Sequence, residues 1–152
     1  MTVVLAIDAG TTGVRTRAVH DDGRPSVSSY REFTQHFPRP GWVEHDASEI
    51  WDAVVATLAD VASRVDDTIA AIGITNQRET VVAWDKRDGR PLANAIVWQD
   101  RRTAGRCTEL EQHLPLVRRT TGLVLDPYFS GTKAAWLIEN NDMPAHDHLA
   151  IG

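Results

Sequence analysis

The sequence has 152 residues, of which 42% are hydrophobic and 24% are charged. This length lies within the usual range of a single domain, and the composition is that of a folded globular protein rather than a disordered chain. The chain carries 21 acidic and 16 basic residues, which gives a formal net charge of -5. Because nucleic acids and anionic membranes attract basic surfaces, this charge argues against both kinds of partner.

The chain has one cysteine, Cys107, which excludes an internal disulfide and favours a reducing compartment. Its first residues lack the basic and apolar pattern of a signal peptide, because Asp8 follows only a short apolar run. No apolar run approaches the ~18 residues that a membrane-spanning helix needs. We therefore expect a soluble protein in the cytoplasm.

The first part of the chain predicts three strands that follow one another as a β-meander. Residues 3–7 are apolar and rich in β-branched side chains, and residues 14–20 alternate imperfectly between two faces. The turn signal Asp21-Asp22-Gly23 precedes a third candidate strand at residues 26–33. A sheet that begins with neighbouring antiparallel strands is therefore expected.

Helices and strands alternate in the rest of the chain. Residues 36–46 contain two prolines and a glycine and predict a loop, after which apolar residues recur with a helical period from Asp46 to Val65. Ser130 is expected to cap the last helix. Since a domain rarely ends at the first residues of a strand, we expect the chain to be truncated. The further predicted elements are a strand at 69–75, a hairpin of 80–84 with 92–97, helices at 101–113, 114–121 and 130–140, and the start of a strand at 149–152.

The turn between the first two predicted strands, Asp8-Ala9-Gly10-Thr11-Thr12-Gly13, has the residue types of a phosphate-binding loop. Its glycines let the backbone approach a ligand closely, and its threonines supply hydroxyl and amide donors for phosphate oxygens. Asp8 can hold Mg²⁺ directly or through water, and Arg15 can pair with a phosphate. The segment is neither a Walker A motif nor a dinucleotide fingerprint. A plain hairpin turn favours the same residues, so the motif alone leaves both interpretations open.

Several segments taken together are more specific than that turn. They are Asp8–Arg15, Pro40–Asp46 followed by Glu49-Ile50-Trp51, Gly73–Thr80, Asn94–Thr103 and Thr121–Lys133. In this order and at this spacing they resemble the FGGY family of carbohydrate kinases, within the actin-like ATPase superfamily. The last three segments narrow the resemblance to the family members that phosphorylate glycerol.

The resemblance implies an α/β fold of the ribonuclease H-like or actin-like ATPase type, with a mixed sheet that opens with the β-meander and is flanked by helices. It makes residues 1–152 the N-terminal kinase domain, truncated before the C-terminal actin-like domain. ATP and Mg²⁺ would be the cofactors, and the full-length enzyme is expected to be a homo-oligomer. The ATP phosphates would be bound by Thr11, Thr12, Gly13 and Arg15, and the metal would be positioned by Asp8.

The substrate implied by the resemblance is glycerol or a similar small polyol. Arg78 and Glu79 would hydrogen-bond its hydroxyls, Trp98 would pack against its carbons, and Tyr128 would add a hydroxyl contact. A triol offers hydroxyls and a short CH face, so a donor, an acceptor and a flat apolar wall suit it. The family's general base, an aspartate, is expected beyond Gly152, so no catalytic residue is assigned here and the chain alone is expected to be inactive.

Two departures and three alternatives accompany this interpretation. Ala9 stands where the glycerol-phosphorylating members commonly carry Gln, and Gly13 replaces their usual Ser; each lost hydrogen bond is worth ~0.5–1.5 kcal/mol. The first alternative is a family member that acts on another polyol or a ketose, and the second is a non-catalytic polyol-binding or regulatory fragment. The third alternative is that the residues assigned to the substrate have no binding role. Adjacent charges after a strand, such as Arg78 and Glu79, are often solvated, and aromatic residues such as Trp98 and Tyr128 often serve packing alone.

Overall fold

The structure is a computed structural model that describes residues 2–24 and 26–152. Backbone contacts divide these residues into two compact units. The first unit comprises the described residues up to Thr34 together with Ser48–Gln77, and the second comprises Gln35–Ala47 together with Arg78–Gly152. No helix in the described ranges combines the length and the apolar character needed to cross a membrane.

The first unit is a four-stranded mixed sheet with a helix packed on one face. The elements are β1 (Thr2–Ala9), β2 (Gly13–His20), β3 (Ser28–Glu32), α1 (Ala47–Ser63) and β5 (Thr68–Asn76). The antiparallel meander is confirmed, because β2 pairs with β1 on one edge and β3 on the other. The fourth strand, β5, lies parallel to β1 on the opposite side, which gives the order β3-β2-β1-β5.

The core of this unit follows from the alternation that the sequence predicts. Val3, Leu5 and Ile7, which alternate along β1, are buried, and Leu5 packs with Val61 of α1. Polar atoms inside the core are paired: the hydroxyls of Thr16 and Thr57 lie 2.9 Å apart, and Thr57 also donates to the Ala53 carbonyl at 2.9 Å. Helix α1, which precedes the parallel strand β5 in the chain, thus buries the part of this face that β1 and β2 form.

The second unit is built from short strands and helices around a core of Val81, Ala83, Ile96 and Leu137. Its elements are β4 (Glu44–His45), β6 (Ala83–Asp85), β7 (Ala95–Ile96), α2 (Ala104–Glu109), a 3-10 turn (Glu111–His113), α3 (Leu114–Thr121), α4 (Ser130–Asn140) and β8 (Leu149–Ile151). The strands pair in twos, β4 with β7 and β6 with β8. Together with the first unit these elements confirm the predicted α/β class.

The predicted hairpin of residues 80–84 and 92–97 is only partly right. The two segments face each other through an isolated bridge of Val81 with Ile96, and Trp84 forms a second bridge with Pro91, which was predicted to lie in the connecting turn. Their regular strand pairing is with other segments of the chain. β7 pairs with β4, a strand inside the predicted loop at 36–46, and β6 pairs with β8. Local turn signals cannot reveal such partners, because the pairing residues are distant in sequence.

Two helix predictions need correction as well. The predicted helix at 101–113 is divided into α2 and the 3-10 turn. Ser130 does not cap α4 with its side chain: the N-cap is Phe129, and the Ser130 hydroxyl donates to the carboxylate of Glu79 at 2.7 Å. Ser130 is the first residue of the helix rather than its N-cap, and its backbone amide also donates to the Glu79 carboxylate at 2.8 Å. A residue distant in sequence therefore pairs with this end of α4.

Candidate functional site

The loop between β1 and β2 is closed by its own backbone. The Gly10 amide donates to the Gly13 carbonyl at 3.0 Å, and the Gln77 side-chain amide donates to the Gly10 carbonyl at 3.3 Å. Asp8 and its parallel partner Thr75 lie near the carboxyl ends of β1 and β5. Open α/β sheets bind ligands beyond the carboxyl ends of parallel strands, so the loop occupies a suitable position for a ligand. All four predicted phosphate-binding residues belong to this loop or to the start of β2: Thr11, Thr12, Gly13 and Arg15.

Tyr30 is a member of this loop environment that the sequence analysis missed. Its hydroxyl lies 3.3 Å from the Thr12 hydroxyl, and its ring lies 5.2 Å from the Arg15 guanidinium carbon. A Cβ atom on Gly13 would lie only 2.6 Å from the Tyr30 hydroxyl and 2.6 Å from the Arg31 carbonyl oxygen. Position 13 therefore requires glycine in this chain. The register of β2 with β3, which aligns Arg15 with Tyr30, brings the tyrosine here.

The metal predicted at Asp8 is compatible with a single exposed carboxylate. Among the described residues there is no group of three or more histidine, cysteine, aspartate or glutamate side chains that could hold a metal ion. Mg²⁺ commonly keeps several waters and takes only one or two carboxylates beside the oxygens of a substrate phosphate. Asp8, exposed at the end of β1, fits that pattern.

Glu79 is the centre of the second group of predicted residues. It follows exposed Arg78 in a turn and adopts a φ of 67°, the one positive φ of a non-glycine residue in the described chain. Its carboxylate oxygen Oε2 accepts hydrogen bonds from the backbone amide of Ser130 at 2.8 Å and from the Ser130 hydroxyl at 2.7 Å. Strained backbone of this kind persists where the surroundings over-determine it, often at functional sites.

Two of the predicted aromatic residues lie close to each other. The ring centroids of Trp98 and Tyr128 are 6.1 Å apart with the planes at 71°, an edge-to-face contact. The Trp98 backbone amide donates to the Thr80 hydroxyl at 3.2 Å, beside the Glu79 turn. Trp98 is half-buried and Tyr128 is 37% exposed. An apolar wall and a phenol therefore accompany the carboxylate within the second unit.

Lys133, which the sequence analysis did not assign a role, connects these residues. It is fully buried, and its ammonium donates to the backbone carbonyl of Glu79 and to that of Tyr128, the latter at 2.6 Å. Burial lowers the pKa of Lys133 to about 8, although the carboxylates of Glu79, Asp100 and Asp126 oppose the shift. The available signal was a lone lysine directly before the apolar run Ala134–Ile138 of α4.

The segment that carries Trp98 is held by a buried ion cluster. The Arg102 side chain is 1% exposed and pairs with Asp100 at 2.8 Å and with Glu44 at 2.7 Å. Its guanidinium lies between two indole rings, 3.8 Å from the centroid of Trp42 and 4.6 Å from that of Trp136. A cation desolvated between aromatic faces makes a strong cation–π contact, so the cluster fixes the chain on the C-terminal side of Trp98.

Residues 3–147 match the N-terminal domain of the FGGY family of carbohydrate kinases. The chain belongs to this family. The match confirms the family and the fold class that the sequence predicts. The FGGY domain is 53% identical over 144 residues to a glycerol kinase of Bacillus velezensis. The aligned residues cover 91% of this chain and 29% of the relative.

Two further similarities agree with this assignment. A glycerol kinase of Rhizobium rhizogenes is 55% identical over 144 residues, which covers 90% of this chain and 28% of the relative. The crystal structure of Plasmodium falciparum glycerol kinase with ADP superimposes with a TM-score of 0.90 at 33% identity, covering 100% of this chain and 32% of that one. The FGGY domain thus spans less than a third of the length of the relatives it matches.

Proposed function

We propose that this FGGY domain is the N-terminal part of an enzyme that phosphorylates glycerol with ATP and yields sn-glycerol 3-phosphate. The observation that carries the proposal is that the Lys133 ammonium donates to the carbonyls of both Glu79 and Tyr128, which groups Glu79 with the Trp98–Tyr128 pair, whose ring centroids lie 6.1 Å apart. Glycerol kinases more than half identical to the chain support the same substrate. A cytoplasmic location, expected from the single cysteine, fits a reaction that consumes ATP.

The proposed polyol site matches glycerol in chemistry. Ionised Glu79 only accepts hydrogen bonds, Arg78 only donates them, and the Tyr128 hydroxyl does either. The Trp98 ring offers an apolar wall to the CH face of the substrate. A site built to bond hydroxyls discriminates against analogues that lack them, because polar groups that the ligand shields from water, here partly buried Glu79, then lose a hydrogen-bond partner.

The β1–β2 loop is proposed to bind the nucleotide phosphates. Thr11 and Thr12 would donate to phosphate oxygens, Gly13 would let the backbone approach them, and Arg15 would add a charge-assisted bond. The relative from Plasmodium falciparum was solved with ADP, which supports nucleotide use. Magnesium near Asp8 would supply charge neutralisation for the phosphates when bound.

In the proposed reaction a terminal hydroxyl oxygen of glycerol forms a bond to the γ-phosphorus while the bond from that phosphorus to the β–γ bridging oxygen breaks. ADP leaves with the bridging oxygen, and the hydroxyl proton passes to a base. We propose that this base is an aspartate outside residues 1–152, so the chain alone is inactive. Since phosphoryl transfer depends mainly on positioning and charge stabilisation, this FGGY domain would contribute by binding and orienting both substrates.

Binding of glycerol to the chain is the first test. Titration calorimetry with glycerol should give saturable binding, and Glu79→Gln should weaken it about tenfold to a hundredfold, because a hydrogen bond to a charged group is worth ~1.5–3 kcal/mol. Glu139→Gln, the same change at an exposed position of α4, serves as the control. Binding of xylulose or gluconate in preference to glycerol would contradict the proposed substrate.

Turnover is tested in a chimera in which this chain replaces the matching segment of the Bacillus velezensis glycerol kinase. The chimera should form ADP in a glycerol-dependent manner, the Glu79→Gln version should lose that activity, and the Glu139→Gln version should keep it. A folded chimera without turnover, made from a chain that binds glycerol, would favour the non-catalytic polyol-binding fragment.

A further inference from the structure

We infer that Lys133 is a positioning residue of the proposed polyol site, which ties the main chain of Glu79 to that of Tyr128 and so sets the spacing between the carboxylate and the phenol. The inference rests on the proposed function, because it assigns the two tethered residues to the substrate. Lys133 itself is not expected to contact the substrate, since its side chain is fully buried.

The tether is defined by its hydrogen bonds. One ammonium group donates both to the Glu79 carbonyl and to the Tyr128 carbonyl, which are 49 positions apart in the sequence. These carbonyls belong to the two residues that supply the acceptor and the phenol. A buried lysine is unfavourable unless its ammonium is hydrogen-bonded, so the two carbonyls and the ammonium stabilise one another.

The backbone conformation of Glu79 needs more support from neighbouring contacts than that of an ordinary turn residue. A φ of 67° is unfavourable for a residue with a side chain, and the turn persists only where neighbouring contacts hold it. Lys133 binds the carbonyl of Glu79, and Ser130, three residues earlier in α4, binds its carboxylate at 2.7 and 2.8 Å. The first turn of α4 therefore fixes both the main chain and the side chain of the glutamate.

The Tyr128 side is fixed by the same helix and by its own turn. The Tyr128 amide donates to the Asp126 carboxylate at 2.8 Å, while its carbonyl accepts from Lys133 at 2.6 Å. The tyrosine ring then meets Trp98 edge to face at 6.1 Å. Loss of the lysine would release the tyrosine carbonyl and the glutamate carbonyl together, a change that no other single side chain in this group would produce.

The test uses the chain with Lys133→Met, which keeps the length and removes the donors. The control is Lys86→Met, the same change at the other lysine of the chain, which is exposed in the same unit. Glycerol affinity is measured from the Trp98 indole signal by NMR, and ADP affinity is measured in parallel. The Ser130 amide signal, from the group bonded to Glu79, reports on the glutamate without any ligand.

We expect Lys133→Met to lower glycerol affinity about tenfold or more, since hydrogen bonds to a charged group are lost. The Ser130 amide should shift, ADP affinity should be unchanged, and Lys86→Met should match the wild type throughout. A folded Lys133→Met protein with wild-type glycerol affinity overturns the inference. Absence of glycerol binding by the wild type instead overturns the proposed function, and the Ser130 signal still shows whether the lysine holds Glu79.

If Lys133→Met does not fold, the positioning role of Lys133 is tested by NMR on the wild-type chain. Lysine labelled with ¹³C gives two sets of signals, one for each lysine of the chain, and the Lys133 set is the one that remains in the Lys86→Met variant. This set should move during the glycerol titration with the same midpoint as the Trp98 indole, while the Lys86 set stays unchanged. A Lys133 set that does not respond to glycerol contradicts the positioning role.

Discussion

Gly13 and Tyr30 depend on each other, because the phenol occupies the space that a side chain at position 13 would need. We predict that Gly13→Ser destabilises the first unit by about 1–3 kcal/mol, the usual cost of overpacking. The new Cβ would meet the Tyr30 hydroxyl at 2.6 Å and also the Arg31 carbonyl at 2.6 Å, and the latter is main chain of β3 and cannot rotate away. Urea unfolding measures the change in the free energy of unfolding.

The matched control is Gly73→Ser in β5 of the same sheet, where an added Cβ has no heavy atom within 4 Å. Its stability should stay close to that of the wild type. Adding Tyr30→Ala to Gly13→Ser should recover only part of the loss, because the Arg31 carbonyl still blocks the Cβ. A Gly13→Ser protein as stable as the wild type, with Tyr30 still beside Thr12, would refute the coupling.

The candidate site was predictable where its signals are local in sequence. The glycines and threonines of the β1–β2 loop adjoin one another, so their chemistry can be recognised without knowing the fold. Tyr30 and Lys133 were missed for the opposite reason: the tyrosine reaches the loop through the register of β2 with β3, and the lysine contacts Glu79 from 54 positions away. Neither relation leaves a pattern in the neighbouring residues.

Among the elements, those with a clear period were predicted well, and those stabilised by distant partners were not. β1 and α1 follow from alternation and from a helical period, which are properties of a single segment. β4 has only two residues and exists because β7 pairs with it, while β6 finds its ladder partner at β8 near the end of the chain. Short strands of this kind are defined by pairing and have no signature of their own.

The turn after β6 carries the clearest electrostatic contribution to an element. Asp85 is buried at the end of the strand, and the hydrogen-bonded Arg87 side chain and amide hold the pKa of Asp85 well below its usual range. In the unfolded chain an aspartate takes up a proton near pH 3.9, before the folded carboxylate does so. The resulting stabilisation is therefore present above that pH and is lost as the pH falls further.

We predict that Asp85→Asn lowers the free energy of unfolding at neutral pH and reduces its decline below about pH 4, where an unfolded aspartate becomes protonated. Chemical unfolding at a series of pH values measures both effects. The control is Asp142→Asn, at an exposed aspartate of the same unit. An unchanged acid dependence in Asp85→Asn would show that other carboxylates dominate it.

One face of the sheet in the first unit is covered unevenly by α1. Three residues of β5 are partnered with buried residues of β1 on the face that α1 covers: Ile69 with Val3, Ile72 with Leu5 and Ile74 with Ile7. Unlike their partners, they are 41%, 50% and 75% exposed. They form an apolar row on an outer strand of the sheet, the type of edge that favours pairing with another chain.

We predict that the chain at this length self-associates as its concentration rises, and that Ile72→Lys with Ile74→Lys suppresses the association. Charged side chains on an edge strand oppose edge-to-edge pairing and remove apolar surface from contact. Sedimentation velocity at increasing concentrations measures the effect, with Ile138→Lys, at a residue of α4 that is 45% exposed, as the control for added charge. If the control suppresses association equally, the change in net charge is the cause. If the wild type stays monomeric, the isoleucine row does not mediate association.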